Sequence, residues 1–245
     1  MTKEKLIKGL IKDGYLKTPA IIEAFEKIDR ADFVRDENKS DAYANYPLPI
    51  GEGQTISQPL TVAFMLELLE PKTGEKILDV GCGSGYQTAL LAEIVGDPAT
   101  AGGKIIGVER IESLKNFAEA NLSKYNFLST IRANGSVSDS RNNNQTGEMV
   151  GTITEESKGK SRVKVILGDG SKGFSEEAPY DKIIAAAAGK EIPIAWKEQL
   201  KIGGRIVAPV GESIILLTKE SQDKFIQKQY FGFSFVPLVI NSNGT

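Results

Sequence analysis

Gly81-Cys82-Gly83-Ser84-Gly85 is the densest chemical signal in this 245-residue chain. Glycines at alternate positions let the backbone turn sharply and let a ligand approach main-chain atoms closely. The apolar run "ILDV" leads in and "YQTALLAEIVG" leads out, so the loop reads as a strand-to-helix turn. Its spacing is GxGxG, not the GxGxxG of a dinucleotide site. A pyrophosphate needs several N–H groups converging at a helix N-terminus. An adenosine bearing a methionine chain has no phosphate and needs only a tight passage. Asp79, just ahead of the glycines, is placed to meet such a ligand's amino group, directly or through water. The next apolar run ends in Val108-Glu109-Arg110, where an acid can accept hydrogen bonds from both hydroxyls of a ribose. Glu109 falls 24 residues after Gly85, beyond the roughly 20 of the dinucleotide fingerprint, and the loop "GDPATAGG" (96–103) accounts for the excess. A third run delivers "GDGSKGF", which sets Asp169 and Gly170 at the same sheet edge. Each feature alone has a plainer reading: a tight turn, a solvated strand-end acid, a turn former, and for Cys82 a small packing residue.

A second cluster lies upstream. "GEGQTISQP" (51–59) carries two hydroxyls, Thr55 and Ser57, before Pro59 and an apolar run. Proline fits the first turn of a helix, which puts Ser57 or Gln58 at the N-cap. The plain reading is a cap alone. A hydroxyl has one donor and two acceptor sites, so Ser57 can cap a helix N–H and still donate to an anion.

These groups need elements to hold them. Residues 3–12 and 18–28 have helical spacing: Leu6, Ile7, Leu10 and Ile11 share one face, and Ile21, Ile22, Phe25 and Ile28 another, with Thr18-Pro19 as cap and first turn. Residues 31–50 read as irregular. Helices follow at about 59–70, 86–96 and 111–125. The runs 76–80, 104–108, 163–167, 181–187, 204–210, 213–219 and about 228–239 read as strands, since continuous β-branched runs suit strands covered on both faces. The last strands leave little room for a helix, which predicts an antiparallel hairpin at that edge. The expected fold is α/β: a doubly wound, mostly parallel seven-stranded sheet with an N-terminal helical extension. One domain over 1–245 is expected, with 1–58 as the helical and substrate segment and 59–245 as the cofactor-binding core. Residues 129–161, rich in Ser, Asn, Gly and charge, read as a surface insertion rather than a β-ribbon.

Composition narrows the chemistry. Basic and acidic residues number 30 and 32, for a net charge of −2, so nothing builds the basic face of a nucleic-acid binder. No run reaches membrane-span length, and the N-terminus lacks a signal-peptide pattern. A single cysteine makes the cytoplasm the expected compartment. There is no histidine, which removes the commonest general base and metal ligand; no metal is expected. A monomer is the expected state.

The strand–GxGxG–helix unit with Glu109 resembles the class I methyltransferases that use S-adenosylmethionine. "PLPIGEGQTISQPLTVAFMLELL" narrows this to a resemblance to protein-L-isoaspartate O-methyltransferases. "AFEKIDRADFV", "LDVGCGSGYQTALLA", "IGVERI", "GDGSKGFSEEAPYDKIIAAAAGKEIP", "QLKIGGRIVAPVG" and "FVPLV" agree in order. The resemblance spans nearly the whole chain except 129–161 and the last few residues. It departs in two places: histidines that some members carry after the proline are Leu60, Thr61 and Val62 here, and the long insertion is unusual.

The resemblance implies methyl transfer from S-adenosylmethionine, leaving S-adenosylhomocysteine, to the α-carboxylate of L-isoaspartyl residues in damaged proteins and peptides. The ester then collapses to a succinimide unaided. Ser57 and Thr55 are the candidate catalytic groups. Asp79, Gly81, Gly83, Gly85 and Tyr86 around the glycine loop, with Glu109, Arg110, Asp169 and Gly170, are the candidate cofactor contacts. Two rivals stand beside this reading. One is a class I methyltransferase for another acceptor; balanced charge speaks against RNA, and no Asn-Pro-Pro-Tyr-like strand end is present for amino groups. The other is a cofactor-binding module without activity, against which the intact glycines, acid and hydroxyls speak.

Overall fold

A computed structural model describes residues 1–96, 100–128 and 161–239. Helix α1 (Lys3–Lys12) buries Leu6, Ile7 and Leu10, and Thr2 caps it by accepting from the Lys5 N–H at 3.3 Å. Ile11, given to the same face by its spacing, is 41% exposed. Helix α2 (Pro19–Lys27) opens on its proline. Thr18 holds the N-cap position without capping through its side chain; its hydroxyl and N–H donate to the Glu67 carboxylate at 2.7 and 2.8 Å.

The stretch read as irregular contains more order than composition suggests. Two 3₁₀ turns, Arg30–Phe33 and Asp36–Asp41, precede an antiparallel hairpin of β1 (Leu48–Gly51) and β2 (Gln54–Ile56). Glu52 and Gly53 turn its tip with φ of 55° and 67°. Strands of four and three residues are too short for period-two alternation to show. Helix α3 (Pro59–Leu69) follows.

The remaining elements, in order, are β3 (Lys76–Val80), α4 (Tyr86–Val95), β4 (Lys104–Glu109), α5 (Glu112–Ser123), β5 (Val163–Leu167), β6 (Tyr180–Ala185), α6 (Ile194–Gln199), β7 (Leu200–Val210), β8 (Ser213–Lys219) and β9 (Phe225–Phe231). The strands form one sheet in the order β5-β4-β3-β6-β7-β8-β9, parallel as far as β7 and antiparallel across β7–β8 and β8–β9. This is the mostly parallel seven-stranded sheet with an antiparallel C-terminal edge that the sequence predicts.

Alternate residues along each strand serve opposite faces. Ile77, Ile105, Ile184, Val207 and Ile214 join the apolar cluster that also holds the inward faces of α1 to α5. Their neighbours Leu78, Ile106, Ile183, Ile206 and Ile215 pack on the other face with Tyr180, Trp196 and Leu200. Helix α4 is buried at every position but Glu93, because α2 covers the side turned away from the sheet.

The last strand stops earlier than its apolar run suggested. β9 ends at Phe231; Gly232 takes φ 94°, and the N–H groups of Gly232 and Phe233 both donate to the Glu212 carbonyl. The chain thus leaves the sheet and crosses its C-terminal edge. There Ala188 donates to the Val236 carbonyl and Leu238 to the Ala188 carbonyl, each at 2.8 Å. Of the expected insertion, 129–160 lie outside the described residues. Among the described residues no helix is long and apolar enough to cross a membrane.

Candidate active site

The chain reverses its winding between β3 and β6, which stand side by side in the sheet. In an open α/β sheet the crevice at such a switch point, outside the carboxyl ends of the strands, is where ligands bind. A cleft of about 630 Å³, open mouth included, lies there and is lined by Gly81, Gly83, Glu109, Arg110, Gly170 and Ala186, among others. The β1–β2 hairpin contributes Ile50, Gln54 and Thr55, and the chain end contributes Val236 to Val239.

Glu109 is 5% exposed at the end of β4. Its Oε2 accepts from the Gly83 N–H and its Oε1 from the Ile111 N–H, each at 3.0 Å. A carboxylate has about four acceptor positions, so capacity remains for two hydroxyls while the acid also braces the glycine loop. Gly81 and Gly83 take φ of 72° and 55°, which L side chains rarely adopt. A Cβ on Gly170 would fall 2.4 Å from Val80 Cγ1, so glycine there permits the close approach of the loop after β5 to β3. The carbonyl of Gly170 accepts from Trp196 Nε1 at 2.8 Å.

Four expected contacts are placed otherwise. Asp79 does not reach the cleft: it is fully buried, accepting from Gln87 Nε2 at 2.7 Å and Thr88 Oγ1 at 2.6 Å. Burial raises its pKa to about 6, against the lowering effect of those two hydrogen bonds. The carboxylate ties β3 to the first turn of α4, and the glycine loop spans the gap between. Gly85 does not line the cleft either. It has φ 86°, and a Cβ there would press on Leu122 and Ala118 of α5 at 3.2 and 3.3 Å. Tyr86 is buried, its ring 5.5 Å from that of Phe33 and 6.3 Å from that of Phe25; it faces the N-terminal helices and only edges a recess beside the loop. Asp169 heads a 3₁₀ turn, its Oδ1 accepting from the Ser171 N–H and hydroxyl at 3.0 and 2.7 Å, and Gly170 alone of that pair lines the cleft.

The two hydroxyls of "QTIS" stand where cavities meet. Thr55 lines the cleft and also a second, open groove of about 1250 Å³, which Ser57, Gln58, Thr61, Phe233, Phe235 and Pro237 border. Among the described residues no charged side chain lines that groove. Ser57 also lines the recess that reaches Gly81, Cys82, Gly83 and Ser84. The helix cap is elsewhere: Gln58 holds the N-cap position of α3, and the Leu60 N–H donates to Asn45 Oδ1 at 3.0 Å. The Ser57 hydroxyl makes no hydrogen bond among the described residues, so the capping half of the expected double duty is absent and the hydroxyl of this groove-lining residue is uncommitted.

A family model described as protein-L-isoaspartate(D-aspartate) O-methyltransferase (PCMT) matches residues 1–243. The chain belongs to this family. Curated relatives in the family include the Methanopyrus kandleri protein-L-isoaspartate O-methyltransferase, 37% identical over 97% of this chain and 91% of that one. Archaeoglobus fulgidus protein-L-isoaspartate O-methyltransferase 2 is 40% identical over 96% and 92%. A Plasmodium falciparum protein described as a beta-aspartate methyltransferase (PCMT), solved with S-adenosyl-L-homocysteine, shares the fold at TM-score 0.74. It is 22% identical, with 98% of this chain and 99% of that one covered.

In this PCMT-family chain the sequence reading missed the residues that hold Ser57 in place. Arg30, in the segment "AFEKIDRADFV", is 2% exposed and donates to the carbonyls of Ala42, Tyr46 and Ser57. Asn45 caps α3 through its side chain, and its carbonyl accepts from Gln58 Nε2 at 2.8 Å. Only the coincidence of Asp29-Arg30 with an otherwise apolar helix end hinted at a buried charge. Asn45 gave no signal, since it caps from fifteen residues away.

Proposed function

We propose that the protein is a protein-L-isoaspartate O-methyltransferase that methylates the α-carboxylate of L-isoaspartyl residues in damaged proteins, with S-adenosylmethionine as donor. Family membership over residues 1–243 supports the activity. The observation that carries the residue assignment is the meeting of cleft and groove at Thr55, with the free hydroxyl of Ser57 beside it. A donor in one cavity and an acceptor in the other would meet end to end there.

The lining suits this cofactor. Buried Glu109 has acceptor capacity for a ribose diol, the glycines admit a ligand without phosphates, and no phosphate-binding cluster of cations is among the lining residues. Gly81, Gly83, Glu109, Arg110 and Gly170 are the residues that would hold it. When bound, the cofactor supplies an electrophilic methyl group on a positively charged sulfur. The substrate carboxylate, with a pKa of roughly 4, is already ionised at neutral pH. No general base is needed, and a chain without histidine lacks nothing for this step.

Joining an anion to a cation removes charge in the transition state, so a cationic clamp on the carboxylate would hold back the ground state. The groove has neutral donors instead. Ser57 and Thr55 orient the carboxylate oxygen, and the apolar faces of Phe233, Phe235 and Pro237 limit water around it. The isoaspartyl protein is expected to meet a monomer in the cytoplasm.

Incubation with methyl-labelled S-adenosylmethionine and paired peptides, one isoaspartyl and one aspartyl, tests the reading. Base-labile label released as methanol is expected from the isoaspartyl peptide alone. Label on both peptides, or on neither, overturns it.

A further inference from the structure

We infer that Arg30 is a positioning residue for methyl transfer, acting through Ser57; this rests on the reaction proposed above. Arg30 follows α2, and its guanidinium lies in the interior at 2% exposure. It gathers three separate stretches: Nη1 donates to the Ala42 carbonyl, and Nη2 donates to the carbonyls of Tyr46 at 3.4 Å and Ser57 at 3.1 Å. None of these acceptors is a carboxylate, and Nε is buried with no partner among the described residues. Burial lowers the pKa of this group to about 10. A buried cation met only by carbonyl dipoles is a costly arrangement, and packing alone would be served as well by an apolar side chain.

What the arrangement provides is geometry. A planar fork of donors fixes the directions of several acceptors at once, which a single ammonium does not. The Ser57 carbonyl is one of them, and the same residue lines both the groove and the recess beside the glycine loop. The stretch around residue 45 is bound to the same place twice more, through Gln58 to the Asn45 carbonyl and Leu60 to the Asn45 side chain. Arg30 therefore closes a ring of backbone contacts around Ser57 from behind, without touching the groove itself, whose lining does not include it. Its charge stays one carbonyl removed from the substrate carboxylate, which suits a reaction that a direct cation contact would retard.

The test compares Arg30→Lys and Arg30→Gln with wild type and Ser57→Ala, each as the full chain. Turnover on an isoaspartyl peptide and calorimetric affinity for S-adenosylhomocysteine are measured for all. Arg30→Lys should lower kcat by about tenfold or more, since small misplacements of orienting groups have effects of this size, with cofactor affinity within about twofold of wild type. Arg30→Gln supplies the same comparison where Lys is not tolerated. In the Arg30→Lys/Ser57→Ala double variant the loss in kcat should be no larger than in Ser57→Ala, because residues acting as one unit are not additive. Wild-type kcat in Arg30→Lys, additive losses in the double variant, or cofactor affinity falling in step with kcat overturns the inference alone. A wild-type protein without isoaspartyl activity overturns the proposed reaction and this inference with it.

Discussion

At the scale of single residues, Ser57 matters because its hydroxyl is uncommitted. A capping serine spends an acceptor on a helix N–H, but here Asn45 supplies that acceptor to Leu60. The Ser57 hydroxyl is left without a partner among the described residues, on a residue that lines the groove and whose backbone is anchored through Arg30. Ser57→Ala removes one hydroxyl without removing a cap, so α3 should keep its stability. The expected outcome is turnover lowered roughly tenfold or more with affinity for S-adenosylhomocysteine unchanged; steady-state kinetics and calorimetry read the two separately. Equal losses in both would place Ser57 on the cofactor instead. The sequence marked Ser57 and Thr55 as candidate catalytic groups and gave the N-cap to Ser57 or Gln58; Gln58 holds that position, but the capping side chain is Asn45, and a cap fifteen residues away leaves no local pattern.

At the scale of elements, the tie between β3 and α4 has a pH signature. The Asp79 carboxylate links the strand to Gln87 and Thr88 of the helix, and burial raises its folded pKa from 3.8 to about 6. The folded state thus holds this proton more tightly than the unfolded chain. Between about pH 4 and 6 stability falls as pH rises, by an amount on the order of 2–3 kcal/mol at this site once both states are ionised. Asp79→Asn removes the titration while leaving a polar group among the same partners. Relative to wild type, the variant should gain stability as pH rises through that window, as read by denaturant unfolding at a series of pH values. A wild-type minus variant difference that is flat with pH would show that Asp79 stays ionised in the fold. Strands β3 to β8 and helices α3 to α5 were legible because their apolar runs are long enough to show a period. The β1–β2 hairpin and the turn at Gly232 were not, since each is fixed by contacts with distant backbone rather than by its own pattern.

At the scale of the whole molecule, one face of the sheet is tied to the cleft by an indole. Trp196 is the single tryptophan of the chain, packs on the face away from α1 to α5, and donates to the carbonyl of Gly170, a cleft residue. Titration with S-adenosylhomocysteine should therefore change tryptophan emission saturably, with the affinity that calorimetry gives. Binding without any change in emission would show that the loop after β5 does not respond to the ligand. The sequence by itself determined the sheet, its parallel and antiparallel parts, the glycine loop and the acid at the end of β4, because each follows from local periodicity and local backbone freedom. Only the tertiary structure decided which of the marked residues line the cleft. Asp79, Gly85, Tyr86 and Asp169 turn to the interior or into turns, whereas the chain end at 236–239 lines the cleft and Arg30 and Asn45 brace Ser57 and α3 from behind it. That sorting depends on contacts between residues far apart in the chain, and no local spacing encodes which side of a loop a buried group will face.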